Sequence, residues 1–248
     1  MRLYKRAIGA VSRRTGRPEL LAAVDSSARQ AQADELAINA ILASSLRGDG
    51  TYVDVGANRG QILREALRIA PRGRHIAFEP IPSLADEVAR ELPLVDCRTM
   101  ALGARKEVTQ FCHFTLLDGW SGLRRHPTIS DEQGRPEYID VEVSTLDAEL
   151  EAVTPSVIKI DVEGAELAVL EGGRSLLSRA RPLVIFEHVA DAAAMYGDEP
   201  AAPWDLLSEL GYRIFSVTGR GPFTRSAFAT ESAVVNWLAT PDMAAPDA

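Results

Sequence analysis

Four short stretches bring together residue types that do chemistry. The first is Val53-Asp54-Val55-Gly56-Ala57-Asn58-Arg59-Gly60. It follows an apolar run and opens an amphipathic one, so it reads as a turn from a strand into a helix. Gly56 and Gly60 let the backbone pass close to a ligand, and Asn58 tolerates the left-handed conformation that usually selects glycine. The start of the following helix offers N–H groups and a positive dipole end to an anionic group. The spacing is not the dinucleotide fingerprint GxGxxG, because position 58 is Asn and position 61 is Gln. Many strand-to-helix turns use glycine for geometry alone, so this turn does not fix a ligand by itself.

The second stretch, Phe78-Glu79-Pro80, sets a carboxylate at the C-terminal end of a second strand, which Pro80 stops. A carboxylate there accepts hydrogen bonds from both ribose hydroxyls of an adenosine-type cofactor. The alternative is a loop glutamate facing solvent. The third stretch is Ile158-Lys159-Ile160-Asp161-Val162-Glu163-Gly164-Ala165-Glu166. A strand ends here in a cluster of acids, at the sheet edge where open α/β folds bind ligands. Alternation puts Lys159 and Asp161 on one face, as catalytic partners or as a structural ion pair. Glu163 and Glu166 suit a helix N-terminus electrostatically. The fourth stretch, Phe186-Glu187-His188, again ends a strand in polar groups. Of the four histidines, His188 is the best placed for chemistry; the alternative is a packed histidine closing the strand.

These residues need a scaffold. The chain has 248 residues, 46% apolar and 25% charged, with a net charge of −8. This composition is that of a soluble globular protein with an ample core. It excludes wholesale disorder, a collagen repeat and a disulfide scaffold. A net-acidic body is a poor candidate for wrapping nucleic acid, whose affinity comes largely from Lys and Arg on phosphates. The two cysteines, Cys97 and Cys112, form no zinc pattern. They fit a reducing compartment and leave a bridge between them open. No apolar run approaches the roughly 20 residues that span a bilayer.

Apolar runs alternate with amphipathic ones from Thr51 onward. Strands are expected at Tyr52–Val55, His75–Phe78, Leu94–Arg98, Val157–Ile160, Leu183–Phe186, Tyr212–Val217 and Ala233–Ala239. Helices are expected at Gln61–Ala70, at Leu84–Leu92 with Ser83 as its cap, at Ala165–Leu177 and at Trp204–Leu210. Such alternation argues a mainly parallel α/β sheet covered on both faces. Glu107–Phe114 and Tyr138–Val143 break the rhythm as an inserted hairpin. The long loop between them, residues 115–137, is either a lid over an acceptor or a decorated surface hairpin.

The domain is expected over residues 49–240, after an N-terminal helical extension (1–48) and before a disordered tail (241–248). Residues 19–46 read as one or two helices. The first 18 residues carry six basic and no acidic side chains. They form either a frayed basic arm or a weak docking segment for anionic lipid or a partner. The basic start lacks an apolar h-region, so no signal peptide is read, and a cytoplasmic location, peripheral to a membrane at most, is expected.

In order, DVGANRG, AFEP, ALG, TLD, IKIDVEGAEL and a strand ending in EH resemble the FkbM-type S-adenosylmethionine-dependent methyltransferases over roughly residues 50–240. IKIDVEGAE is the most specific element, whereas GANRG alone is shared with many class I methyltransferases. The resemblance implies a Rossmann-like fold with a seven-stranded sheet, S-adenosylmethionine as methyl donor, and O-methylation of a sugar, glycan or natural-product hydroxyl. Carried over, Asp54, Gly56, Ala57, Asn58 and Gly60 line the methionine end of the donor. Glu79, with Pro80, holds the ribose; Ala101, within Thr99–Leu102, flanks the adenine; Asp161 sits beside the methyl group. The family turn often has an apolar residue where this chain has Arg59, which then points at solvent or an acidic neighbour.

A sugar hydroxyl is a weak acid, so a base should help remove its proton. His188 is the first candidate and Asp161 the second, with Glu187 orienting the acceptor or His188, and Lys159 paired to Asp161. Asp161, Glu163 and Glu187 suit a divalent ion by ligand type, yet they are far apart in sequence and no metal is expected. Trp120 offers a face to a sugar ring, and Arg124 and Arg125 fit a phosphate or carboxylate; all three are otherwise exposed loop residues. The acceptor expected is thus a sugar, glycolipid or small molecule. Two rival readings use the same residues: a nucleic-acid 2′-O-methyltransferase, and a non-catalytic cofactor-binding protein that kept the fold.

Overall fold

Short runs of buried apolar residues build the central layer. The computed structural model describes residues 18–242, with side chains from Ala28 onward. The basic arm and residues 243–248 of the tail lie outside the described residues. Tyr52–Val55 (β1), Ile76–Phe78 (β2) and Asp96–Arg98 (β3) lead the sheet, and Ala101–Leu102 (β4), Glu107–Phe114 (β5) and Pro136–Ser144 (β6) form the insertion. Val157–Ile160 (β7), Leu183–Glu187 (β8), Tyr212–Ser216 (β9) and Asn236–Pro241 (β10) complete the main layer. Its order is β3-β2-β1-β7-β8-β10-β9. Neighbours from β3 to β8 pair in parallel, and β10 is antiparallel to both β8 and β9. This is the expected mainly parallel, seven-stranded α/β sheet. Every residue of β1 and β7 is buried, as strands covered on both faces require.

Alternation sends side chains to two cores. Val53, Ile158 and Phe186 face one helical layer, whereas Tyr52, Val157 and Ile185 face the other. The strand order reverses at β1, which lies between β2 and β7. A crevice opens there, beyond the C-terminal ends of β1 and β7.

Three helices flank this crevice: Pro18–Ser45 (α1), Gln61–Ile69 (α2) and Pro82–Glu91 (α3). The first is one helix of 28 residues rather than two. Its Ile38 and Leu42, with Leu46 just past its end, pack with Tyr52 and Leu63. Its Asp34 accepts hydrogen bonds from Asn236 Nδ2 (2.9 Å) and Gln30 Nε2 (2.7 Å). The part of the expected N-terminal extension from Ile38 to Leu46 therefore shares the core of the domain. Helix α3 opens on Pro82 with Ile81 before it, and not on a Ser83 cap; proline pre-sets the first helical turn.

Other boundaries move for identifiable reasons. The third strand begins at Asp96 and leaves Leu94 exposed. The last runs from Asn236 to Pro241, into the expected tail. The expected helix Ala165–Leu177 is two, Glu166–Glu171 and Arg174–Ala180. A Cβ on Gly172 would lie 2.1 Å from the Gly103 carbonyl oxygen, so the chain breaks at this close approach. The second piece is capped from elsewhere: Ser175 and Leu176 N–H donate to the Asp147 carboxylate at 3.1 and 2.7 Å.

The insertion is a separate three-stranded sheet in the order β4-β6-β5. Between β5 and β6 lie a 3-10 turn, Asp118–Trp120, and a one-turn helix, Asp131–Gly134, with a Ser130–Gln133 capping box. The two cysteines are free thiols. No helix among the described residues is long and apolar enough to cross a membrane.

If α1 belongs to the core, Leu42→Ala lowers stability by about 2–5 kcal/mol. Urea unfolding followed by circular dichroism and by tryptophan fluorescence should show one coincident, shifted transition. A separate early transition in the variant, confined to helical signal, would contradict a shared core.

Candidate active site

A cavity of about 600 Å³ fills the crevice. Its walls are the turn after β1, the ends of β2 and β7, part of α1, and the inserted turn from Leu116 to Ser121. The turn after β1 is shaped by left-handed residues: Gly56 at φ +83°, Asn58 at +47° and Gly60 at +67°. A Cβ on Gly56 would sit 1.9 Å from the Asp161 carbonyl oxygen, so only glycine fits. The N–H groups of the turn are taken up by the turn itself and by the end of β2. Gly56 and Ala57 N–H donate to Phe78 O, Gly60 N–H to Ala57 O, and Arg59 N–H to Asn58 Oδ1. None of these groups is left for an anion, so the turn meets a ligand by shape.

The remaining N–H of the turn fixes an acid. Asn58 N–H donates to Glu79 Oε2 at 2.7 Å, and Ile81 N–H to Glu79 Oε1 at 2.9 Å. The carboxylate is held in the cleft wall at 4% exposure. Burial pushes it up to about 7, against the pull of the two N–H groups. Each oxygen keeps a lone pair for a further donor.

A second set of polar groups lines the floor. Register pairs Asp54 with Lys159 across β1 and β7. Lys159 Nζ donates to Asp161 Oδ2 at 2.7 Å. Burial alone would lower this ammonium, but Asp161 and Asp54 reverse that and hold it above its ordinary value. Asp54 is 2% exposed, and its Oδ1 has no hydrogen-bond partner among the described residues. Burial, reinforced by Asp161 and opposed by Lys159, lifts it to about 6.

Asp161, Glu163 and Glu187 converge, one oxygen of each within 4.8 Å of the others. Burial, then repulsion among these carboxylates, pushes Glu163 and Glu187 well above the usual range. Such oxygen ligands suit a hard cation, a proton or a donor hydroxyl. Glu166 turns away and caps its own turn, accepting from Val162 and Gly164 N–H at 3.0 and 3.2 Å.

The structure gathers most, but not all, of the anticipated residues. Asp54, Gly56, Ala57, Asn58, Glu79, Pro80, Ala101, Lys159, Asp161, Glu187 and Trp120 line the cleft. Gly60 packs behind it, next to Leu92 and Val88. His188 does not reach it. Its ring stacks on Phe228 at 5.1 Å, its Nε2 donates to Pro200 O at 3.0 Å, and burial lowers its pKa. Glu187 takes the cleft side at the end of β8, so its neighbour enters the core. The expectation of His188 as base is therefore corrected. Arg124 and Arg125 are also outside the lining: Arg125 pairs with Asp131 at 2.5 Å, and Arg124 N–H bonds the Tyr196 hydroxyl. They supply no anion receptor in the cleft.

Three contributors escaped the sequence reading. Asp34 and Glu35 reach the cleft from α1, and Asp118 from the insertion, bonded to Arg59. Nothing local marks them. Glu163, read as a helix-end charge and as one of three acids suited by type to a divalent ion, enters the cleft beside Gly164, left-handed at φ +57°; the Glu-Gly pair was its signal.

The chain is similar to known proteins. The family model described as "Methyltransferase FkbM domain" matches residues 54–214. Methyltransferase sdnD of Sordaria araneosa is 30% identical over 161 residues, covering 52% of this chain and 62% of sdnD. The 2-O-methyltransferase NoeI of Sinorhizobium fredii (strain NBRC 101917 / NGR234) is 30% identical over 182 residues, covering 64% of this chain and 71% of NoeI. A crystal structure of methyltransferase FkbM from Methylobacillus flagellatus KT is 16% identical at a TM-score of 0.49, covering 79% of this chain and 44% of that one. The chain thus spans less than two thirds of sdnD and less than half of the crystallised protein.

Two outcomes test this geometry. Native Asp54 and Glu79 hold protons, to about 6 and about 7, that the unfolded chain releases at lower pH. Their contribution to stability is full below the ordinary carboxyl range and is lost as pH rises through those values. The urea midpoint of the ligand-free protein should fall between pH 5 and pH 7.5, and Asp54→Asn should flatten that slope. Separately, Gly56→Ala should cost at least about 2 kcal/mol in the same unfolding measurement, through a strained φ and a backbone clash.

Proposed function

The chain belongs to the FkbM methyltransferase family, and on that premise we propose that it transfers a methyl group from S-adenosylmethionine to a hydroxyl oxygen of a sugar, glycan or other neutral small molecule. The observation that carries the reading is the buried Glu79 carboxylate, clamped by two backbone N–H groups beside the Gly56 turn. Its free lone pairs suit the two ribose hydroxyls of an adenosine. The unpartnered Asp54 oxygen suits the ammonium of the methionine end. Met100, Ala101, Leu102 and Phe111 give the same cleft an apolar wall for a base. The printed activity of NoeI, a 2-O-methyltransferase, supports oxygen as the atom methylated.

When bound, S-adenosylmethionine supplies an electrophilic methyl group on a sulfonium. The chain's own task is to align an acceptor oxygen, keep water out and take one proton. With His188 in the core, the base role passes to the carboxylates at the ends of β7 and β8. Glu187 and Glu163 hold protons unusually firmly because burial and repulsion disfavour their charge, which suits proton removal from a weakly acidic hydroxyl. Asp161, oriented by Lys159, steers the acceptor oxygen. Trp120 supplies an aromatic wall of the kind sugar rings stack on.

Charge narrows the acceptor. The basic side chains in the described lining are Arg59 and Lys159, and both are ion-paired. A phosphate or carboxylate on the acceptor would meet acids instead. This favours a neutral polyol over a nucleic acid, whose backbone requires cations.

Calorimetry should show micromolar binding of S-adenosylmethionine and S-adenosylhomocysteine to the wild type, weakened at least about tenfold in Glu79→Ala. A folded wild type that binds neither overturns the reading. With labelled methyl donor, neutral sugars should accept methyl in preference to their phosphorylated counterparts. Glu187→Gln should lose about a hundredfold in rate while keeping its affinity for S-adenosylhomocysteine. The rate should fall as pH is lowered and the two glutamates take up protons.

A further inference from the structure

The Arg59 guanidinium joins the turn after β1 to α3 and to the inserted turn. Nη1 pairs with Glu87 on α3, and Nη2 donates to Asp118 Oδ2 at 2.7 Å. Asp118 opens the inserted turn, and its Oδ1 lies 3.2 Å from His113 Nε2 on β5. One carboxylate is thus held from both the donor-binding turn and the inserted sheet. The turn behind it has its own ties: Leu117 N–H to Phe114 O at 2.9 Å, and Phe114 N–H to Ser121 Oγ at 3.0 Å. Leu117 and Trp120 of this turn wall the cleft. Gly119, between Asp118 and Trp120, has open space around it.

We propose that Arg59 is a positioning residue: with Asp118 it clasps the inserted turn over bound methyl donor, and so sets how slowly the demethylated product leaves. This rests on the methyl-donor reading above. The physical case is one of connection and strength. The guanidinium ties the turn that receives the donor to the wall facing it. Half of the Arg59 side chain is exposed, so the clasp is a weak ion pair that salt screens, and it can open on every turnover. A lid that must release product needs such a contact rather than a buried one.

The test is stopped-flow dissociation of S-adenosylhomocysteine from the full chain and from Arg59→Ala, Asp118→Ala, Asp118→Asn and the Arg59→Ala/Asp118→Ala double variant. Each single alanine variant should release the product about fivefold faster, and the double no faster than the singles, because both remove one contact. Asp118→Asn keeps the shape and should still release faster. High salt should speed release from the wild type and leave the alanine variants unchanged, a response that loss of fold would not give. Release within twofold of wild type in all variants, or effects that multiply in the double, overturns the clasp alone. A wild type that does not bind S-adenosylhomocysteine overturns the methyl-donor reading and the clasp with it.

Discussion

Gly56 and the carbonyl of Asp161 pack backbone against backbone, with no room for a Cβ between them. That contact welds the turn after β1 to the end of β7 at the point where the strand order reverses. Everything in the cleft is measured from it. It puts Asp54 level with Lys159, it swings Asn58 N–H onto Glu79, and it leaves the acids after β7 facing the same space. A side chain at position 56 would separate the two halves of the site before it disturbed any single functional group.

The second organising fact is uncompensated charge. Among the described residues lining the cleft, Asp54, Asp161, Glu163 and Glu187 share one ammonium, that of Lys159. Burying acids this way is unfavourable, and a fold selected for stability alone would replace them by apolar residues. Asp54, Glu163 and Glu187 consequently hold their protons above the usual carboxylate range. The floor of the cleft is therefore the part of the molecule whose electrostatics a bound cation or a hydroxyl would change most.

Much of this was legible in the residues. The strands of the main sheet came from apolar runs, because burial on both faces leaves a plain signature at Tyr52–Val55 and Val157–Ile160. The turn at Gly56–Gly60 and the carboxylate at Glu79 came from residue types that only special backbone or polar ligands explain. What stayed hidden was tertiary. Gly172 breaks a helix because Gly103 passes beneath it, which no helical periodicity records. At Glu187-His188, alternation says that one side chain meets the cleft but not which, and the imidazole proved to be the core residue. Asp118 and α1 enter the site through closeness in space across long stretches of chain, and Arg124 and Arg125, similar in local composition, do not.

The bond between Asp34 and Asn236 joins residues 202 positions apart, and β10 inserts itself between β8 and β9. During synthesis, α1 and the first six strands leave the ribosome long before their last neighbour exists. Until β10 is made, β8 lacks a partner on one side and one wall of the cleft has nothing to rest on. Any folded form without β10 would expose the edge of β8, and an unpaired strand edge is a template for pairing with another chain.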